Sequence, residues 1–152
     1  MDSETVKDWF ESAFQQRRTK TAISFLRGSD PKTVLSYGEL NQDSDRCANF
    51  FVESGVEKGD RVVLFLNKSL LFVVAHLALQ KIGAIAVPLN PGFKPSEMAY
   101  LLDDADPKLI LSDPEKASSR LEMPERDYIC RRNSEEYDGK NTQKRHLEIF
   151  QG

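Results

Sequence analysis

The region from Arg61 to Ser112 alternates short apolar runs with segments of helical length. The runs "RVVLFL", "AIAVPL" and "KLILS" begin near residues 61, 84 and 108, at a spacing of 23 or 24 residues. "RVVLFL" shows no polar alternation, which is typical of a strand covered on both faces and so of a parallel sheet. "KSLLFVVAHLALQKIG", closed by Gly83, and "PSEMAYLLDDA" are predicted helices. This order predicts consecutive βαβ units that form an open parallel sheet.

The segment before residue 61 predicts a helix, a strand pair and a second helix. Val6, Trp9, Phe10, Ala13 and Phe14 recur at helical spacing and predict an opening helix that packs one apolar face on the core. The runs "AISFLR" and "TVLSY" flank the turn-rich "GSDPK", which suits a hairpin or two neighbouring strands.

The second helix has clear start and stop signals. Ser36 and Glu39 form a predicted capping box, Leu40, Cys47, Ala48 and Phe51 share one face, and Gly55 ends the helix.

The last thirty residues differ in composition from the rest of the 152-residue chain. Just before them, "DPEKASSRL" predicts a helix with Pro114 in its first turn. From Glu122 onward the sequence is dense in charges of both signs, and only "DYIC" is typical of a strand. We therefore expect residues 1–122 to form one α/β unit and residues 123–152 to form a short strand and a disordered or irregular tail.

Composition excludes several classes of function. The formal net charge is only -3, which does not favour nucleic-acid binding. The longest uncharged runs have 12 residues, fewer than the roughly 20 needed to span a bilayer. The N-terminus lacks a secretory pattern. Cys47 and Cys130 match no metal or redox spacing, so we expect reduced thiols and a cytoplasmic location.

Most candidate catalytic patterns fail on spacing. The glycines, at positions 28, 38, 55, 59, 83, 92, 139 and 152, form no G-x-G pair, and no G-K-[ST] occurs, so no phosphate loop is recognisable. His76 lies in an apolar helix and is interpreted as a buried, hydrogen-bonded histidine rather than a general base. The carboxylates of "DDAD" are consecutive, whereas a metal site needs ligands converging from several elements.

The loop "LNPGFKPSE" follows the predicted strand that ends at Pro88. In open α/β sheets ligands bind at the carboxyl ends of the strands, where this loop belongs. A plain connection is the competing interpretation, in which Gly92 supplies an unusual backbone angle, Phe93 fills a gap and Pro95 opens the helix. Both interpretations stay open at this point.

Three segments together resemble the N-terminal part of the AMP-forming acyl-CoA synthetases. They are "SYGEL", which opens a helix, "GDRV", which begins a strand, and "KIGAIAVPLNPGF", which precedes a helix and the strand of "LILSD". All three occur in the family's order, and the resemblance runs from about Thr21 to Arg120. It leans toward malonyl- or fatty-acyl-CoA synthetases rather than peptide-synthetase adenylation domains.

The resemblance implies a function for the whole family. Its members use ATP and magnesium to convert a carboxylic acid into an acyl-adenylate, and they then transfer the acyl group to coenzyme A. The phosphate loop, the acidic ribose ligand and the lysine of the mobile C-terminal domain have no match in this sequence. We therefore expect an N-terminal fragment that is inactive alone. The alternative is a standalone α/β module that binds a ligand or a partner without catalysis.

The resemblance also implies site residues and an exposed surface. By the family match, Gly92 and Phe93 approach coenzyme A, and Arg120, helped by Lys116, contacts its phosphates. Solvated helix charges are the competing interpretation for Lys116 and Arg120. Part of such a domain should also expose an apolar sheet edge or face, through which the chain could self-associate.

Overall fold

The computed structural model describes residues 5–27, 30–112, 128–130 and 148–150. Its helices and strands follow in the order α1 (Val6–Gln16), β1 (Thr21–Arg27), β2 (Asp30–Ser36), α2 (Tyr37–Glu53), β3 (Arg61–Phe65), α3 (Leu70–Ile82), β4 (Ile85–Pro88), α4 (Pro95–Ala105), β5 (Leu109–Ser112), β6 (Tyr128–Cys130) and β7 (Glu148–Phe150). The α/β fold class, the hairpin and the βαβ units predicted from sequence are confirmed.

The main sheet has the strand order β4-β3-β5-β6-β7. Strands β4, β3, β5 and β6 are parallel, and β7 is antiparallel to β6. The continuous apolar run of β3 lies in the middle of the parallel part and is buried from Val62 to Phe65. Strand β4 lies at the edge among the described strands, and Ile85 is 49% exposed.

The two faces of the sheet are covered by different helices. Val62, Leu64 and Leu111 point to the side where α2 and α3 pack, in a cluster that includes Phe51 and Leu79. The alternate residues of the same strands point to the other side, where Met98 and Leu102 of α4 cover Val63, Phe65 and Ile110. A strand that is buried on both faces needs no polar alternation, which explains the sequence of β3.

The helix ends are formed by the residues that the sequence indicated. The Ser36 amide donates to Glu39 Oε2 at 2.9 Å, and the Glu39 amide donates to Ser36 Oγ at 3.2 Å, so the capping box of α2 is complete. Helix α3 begins at the cap Ser69 and ends at Gly83, whose φ of 73° is left-handed. Such a backbone conformation is strained for any residue with a Cβ.

The N-terminal part packs as a third cluster against α2 and α3. The antiparallel hairpin β1–β2 contributes Ile23, Phe25 and Leu35, and α1 contributes Phe14. The prediction that α1 buries its whole apolar face was wrong, because Val6 and Trp9 are about 70% exposed and Phe14 is its buried residue. The helix rests on the domain by one side of its last turns.

A lysine joins the three helices on this side of the sheet. Lys81 of α3 donates to the Asn41 carbonyl at 3.1 Å, to Asn41 Oδ1 at 2.8 Å and to Asp45 Oδ1 at 2.6 Å, all on α2. The same ammonium lies 5.2 Å from the ring centroid of Phe14 on α1. One side chain therefore fixes α1, α2 and α3 relative to each other.

The C-terminal segment contains two short strands. The strand expected at "DYIC" is confirmed as β6, and β7 was not predicted from sequence. The helix expected at residues 113–121 lies outside the described residues. The division of the chain at residue 122 stays a prediction.

Candidate functional site at the carboxyl edge of the sheet

Three adjacent parallel strands, β4, β3 and β5, end side by side. In the register of the sheet, Leu64 pairs with Pro88 and Phe65 pairs with Ser112. Helices α3 and α4 begin at the same edge, each after a loop that leaves a strand's carboxyl end. Their N-terminal amides give this edge a positive potential. The exposed Lys68 and Lys94 lie in these two loops and add positive charge.

The loop between β4 and α4 is held by its own side chains. The Leu89 amide donates to the Leu64 carbonyl at 3.1 Å and extends the ladder between β3 and β4 past Pro88. Asn90 Oδ1 then accepts the Gly92 amide at 2.9 Å, and the Asn90 carbonyl accepts the Phe93 amide at 3.1 Å. The loop is therefore a defined turn rather than an open connection.

Gly92 has a different role from the one expected under the plain-connection interpretation. The glycines with left-handed φ are Gly55, Gly59 and Gly83 among the described residues, so Gly92 supplies no unusual backbone angle. A Cβ at position 92 would lie 3.3 Å from Asn90 Oδ1, inside ordinary contact distance. Glycine at this position leaves room for the Asn90 side chain, and the exposed backbone can be approached closely from outside.

Phe93 and Lys94 attach the loop to the sheet and to α4. Phe93 is half-buried and packs against the cluster that α4 forms with Val63 and Ile110. The Lys94 amide donates to Glu97 Oε2 at 2.8 Å, which caps the start of α4. Phe93 therefore fills a gap, as the plain-connection interpretation expects, and keeps part of its surface at the edge.

Ser112 is a feature of this edge that sequence analysis did not single out. Its side chain is completely buried, and its Oγ has no hydrogen-bond partner in the described part of the chain. A buried hydroxyl without a partner is uncommon. The only sequence signal was its place as the last residue of an apolar run. Lys116 and Arg120, the predicted phosphate contacts, lie outside the described residues.

The structure supports no chemical role for two other residues considered in the sequence analysis, His76 and Cys47. His76 is half-buried and stacks on Phe72 at 6.4 Å between ring centroids, but its buried Nδ1 has no hydrogen-bond partner among the described residues. The expected hydrogen bond is therefore absent at that atom. Burial, helped by the charge of Asp43, raises the pKa of the Cys47 thiol to about 12, which leaves it unreactive near neutral pH.

The described ranges contain neither a cluster of metal ligands nor a membrane-spanning helix. No group of three or more metal-ligating side chains comes together there. None of the described helices is long and apolar enough to cross a bilayer.

An open, mostly parallel sheet with a structured loop at its carboxyl edge is the arrangement in which α/β proteins usually place a ligand site. Comparison with known proteins narrows this class. The model of the AMP-binding enzyme family matches residues 10–148. The chain belongs to this family and forms the N-terminal portion of its adenylate-forming fold.

Two curated relatives show the range of the family. A crotonobetaine/carnitine–CoA ligase of Citrobacter koseri is 38% identical over 96 residues, which cover 63% of this chain and 19% of that ligase. The nonribosomal peptide synthetase sidE of Aspergillus fumigatus is 35% identical over 111 residues, which cover 73% of this chain and 5% of the synthetase. The chain thus spans about a fifth, or less, of the length of these relatives.

Solved structures agree with the sequence relatives. VinN superposes with a TM-score of 0.69 at 28% identity, over 78% of this chain and 30% of VinN. The N-terminal subdomain of Klebsiella oxytoca NpsA, solved with anthranilyl-AMSN, gives a TM-score of 0.65 at 26% identity, over 72% of this chain and 27% of the subdomain.

Proposed function

We propose that this chain forms the N-terminal portion of a ligase that activates a carboxylic acid with ATP and transfers the acyl group to coenzyme A. The observation that carries the proposal is the family match over residues 10–148. The similarity to a CoA ligase over 63% of the chain supports coenzyme A as the thiol.

The proposed reaction has two steps. A carboxylate oxygen attacks the α-phosphorus of ATP and the bond to the β-phosphate breaks, which releases pyrophosphate and gives the acyl-adenylate. The thiol sulfur then attacks the acyl carbon and loses its proton, and AMP leaves with the electron pair of the broken acyl–oxygen bond. AMP is a far better leaving group than the hydroxide of a free acid.

Neither the sequence motifs nor the described residues provide a recognisable site for ATP phosphates or magnesium. The eight glycines of the chain form no phosphate loop, and the described residues contain no cluster of metal ligands. We therefore propose that the 152-residue chain alone does not catalyse adenylation. ATP–pyrophosphate exchange on the purified chain tests this, with a panel of short, long and aromatic acids. ATP-dependent exchange above the no-enzyme background would refute the proposed inactivity.

The residues of this chain are proposed to serve the coenzyme A side. The exposed backbone at Gly92 and the accessible part of Phe93 lie on the carboxyl edge of the sheet. We propose that Lys116 and Arg120 contact the phosphates of coenzyme A, as the resemblance of the sequence implies. The positive potential at the start of α3 and α4 favours an anionic ligand at this edge. A guanidinium can bind a phosphate with two hydrogen bonds, so Arg120 is the stronger candidate of the two.

A full-length relative provides the test of the coenzyme A site. Alanine at the position matching Arg120 should raise KM for coenzyme A about tenfold, the loss expected for one charge-assisted contact. Pyrophosphate exchange, which precedes thiol binding, should be unchanged. Alanine at the position matching Lys108, at the opposite edge of the sheet, is the matched control. An unchanged KM at the Arg120 position would reject the assignment.

A standalone binding module is the second candidate. It is favoured by the β4–α4 loop, which is held by hydrogen bonds within the described residues. The DNA downstream of the coding region separates the two candidates. A continuation that encodes a phosphate loop, in frame or after a shift, supports the ligase portion, and noncoding DNA supports the module.

Two smaller proposals concern association and location. The β4 edge, with Ile85 exposed, is a proposed point of self-association, because an edge strand leaves backbone groups unpaired. A cytoplasmic location stays a proposal, supported by the free thiol of Cys47.

A further inference from the structure

Arg61 joins the start of β3 to the end of α4 at the amino edge of the sheet. Its Nε donates to the Ala105 carbonyl, and its Nη2 donates to the Asp106 carbonyl at 3.1 Å. The same Nη2 lies 3.6 Å from Asp106 Oδ2. The last carbonyls of a helix have no partner within the helix and carry partial negative charge, so a guanidinium is well suited to bind them. We call these three contacts the Arg61 clamp.

The guanidinium extends from a backbone position that is itself held on both sides. The Arg61 carbonyl accepts the Lys108 amide of the β5 side at 2.8 Å, and the Asp60 carbonyl accepts the Ile85 amide of β4 at 2.7 Å. The Asp106 side chain is 73% exposed, so solvent screens its pairing with the guanidinium. The two bonds to helix carbonyls are therefore the stronger part of the clamp.

Helix α4 runs from the Arg61 clamp to the candidate site. Its 11 residues, Pro95–Ala105, extend over about 16 Å. The Met98 amide donates to the Lys94 carbonyl at 3.0 Å, which ties the first turn to the loop. Phe93 packs in the apolar cluster that α4 forms on the sheet. A shift of α4 along its axis therefore moves Phe93 and the neighbouring Gly92.

Between its two ends α4 is held on the sheet by apolar contacts. Met98 and Leu102 pack on Val63, Phe65 and Ile110. Such contacts are not directional, and packed helices can slide over each other by small shear movements. Hydrogen bonds depend strongly on distance and angle. The bonds at the end of the helix therefore define its position along the axis more sharply than the apolar contacts do.

We propose that Arg61 is a positioning residue for the carboxyl edge of the sheet. It fixes α4 along its axis and so fixes the place of Gly92 and Phe93 at the other end of the helix. Within the proposed ligase function, on which this consequence rests, the clamp sets where the loop meets coenzyme A. Arg61 itself lies at the opposite edge and contacts no substrate.

Relaxation dispersion of the backbone amides, measured by NMR on the 152-residue chain, tests the clamp. Arg61→Met keeps the apolar stem and removes the guanidinium. The variant should raise the population of a displaced α4 about tenfold, the loss expected for charged bonds at a partly exposed site. Minor states on the order of 1% give dispersion when they exchange in microseconds to milliseconds. Dispersion should therefore grow at the Gly92 and Phe93 amides.

Two further variants serve as comparisons. Lys108→Met removes an exposed charge at the same edge and should leave the dispersion at Gly92 and Phe93 as in the parent. Arg61→Lys keeps the charge but lacks the planar fork, so it should raise the minor population about threefold. This milder variant carries the test if Arg61→Met does not fold, which circular dichroism shows.

The distribution of the effect along the chain decides the outcome. Dispersion that grows only at the Asp106 amide would show that the clamp acts locally, and it would overturn the proposal. Equal growth at the β3 amides of Val63 and Leu64 would indicate a general loss of stability and would also overturn it, as would no change at Gly92 and Phe93. None of these results depends on whether the chain belongs to a ligase.

A full-length relative with an arginine at the position matching Arg61 tests the consequence for coenzyme A. Methionine there should raise KM for coenzyme A about fivefold and leave pyrophosphate exchange unchanged, because only the loop moves. An unchanged KM, or an equal loss in both assays, would overturn this consequence. A relative that needs no coenzyme A would count against the proposed function and not against the clamp.

Discussion

Replacing Lys81 by methionine should lower the free energy of unfolding by about 2–3 kcal/mol. Methionine keeps most of the apolar stem but removes the ammonium, which lies in a site where the side chain is only 13% exposed. The two bonds to Asn41 and the contact with the Phe14 ring are lost together. Hydrogen bonds with a charged donor contribute about 1.5–3 kcal/mol each and a cation–π contact about 0.5–1 kcal/mol, before the cost of removing the ammonium from water is subtracted.

The ion pair with Asp45 adds less than its 2.6 Å distance suggests. The Asp45 side chain is 56% exposed, so solvent screening limits the pair to at most about 1 kcal/mol. The cost of removing the ammonium from water offsets part of the total. For a chain of this size the net change corresponds to a fall in Tm of about 5–10 °C.

Urea and thermal unfolding followed by circular dichroism measure this change. Lys7→Met is the matched control, because Lys7 forms an exposed pair with Glu11 and should change stability by less than about 0.5 kcal/mol. Asp45→Asn, combined with Lys81→Met in a double-mutant cycle, isolates the ion pair. A Lys81→Met protein within 0.5 kcal/mol of the parent would refute the view that this lysine fixes the three helices.

Three further changes test the fold. Gly83→Ala should cost about 1–2 kcal/mol in urea unfolding, because φ is 73° and the new Cβ would lie 3.0 Å from Lys58 Cγ; no loss would contradict the assigned helix end. Ser36→Ala should lower the free energy of unfolding by about 1 kcal/mol, because the N-cap of α2 is lost. Ser36→Gly is the comparison and should lower it by only a few tenths of a kcal/mol, because glycine is tolerated at an N-cap. Cys47 should react with a thiol reagent at pH 8 only after denaturant is added. Since its pKa is raised to about 12 from an ordinary value of 9.0, unfolded chains lose the proton first, and stability should fall as pH rises from about 9 toward 12. The labelling uses Cys130→Ser, so that Cys47 is the remaining thiol; rapid labelling of this folded variant would contradict the burial of Cys47.

The elements with local signals were predictable from the sequence. The capping box at Ser36 and Glu39 and the helix end at Gly83 depend only on residues close together in the sequence, so short segments suffice to predict them. The parallel sheet was predictable because β3 is apolar throughout. Strand order is different, because "AIAVPL" reads the same whether β4 is central or at an edge. The exposure of Ile85 depends on which strands and helices lie next to β4, and the local sequence does not specify them.

The candidate site was predictable in position but not in detail. The carboxyl-edge rule located the loop at Gly92 and Phe93, and the structure has that loop at the edge. The hydrogen bond from the Gly92 amide to Asn90 Oδ1 depends on a turn conformation that Asn, Pro and Gly permit without requiring. Lys81 had no sequence signal, since its partners on α2 lie 36 and 40 residues away. The exposure of Val6, Trp9 and Phe10 on α1 was not predicted, because periodicity shows which residues share a face and not whether that face is covered.

Strand β3 hydrogen-bonds to a neighbour on each side, β4 and β5. Its amides can exchange with solvent only when both pairings and both covering layers of helices open, which amounts to global unfolding. The hairpin β1–β2 is a separate two-stranded sheet, joined to the rest by one apolar cluster. It can open by itself at a lower free energy. Hydrogen exchange should therefore divide the chain into a slow unit around β3 and a faster unit at the hairpin, so the N-terminal strands become available to a protease before β3 does.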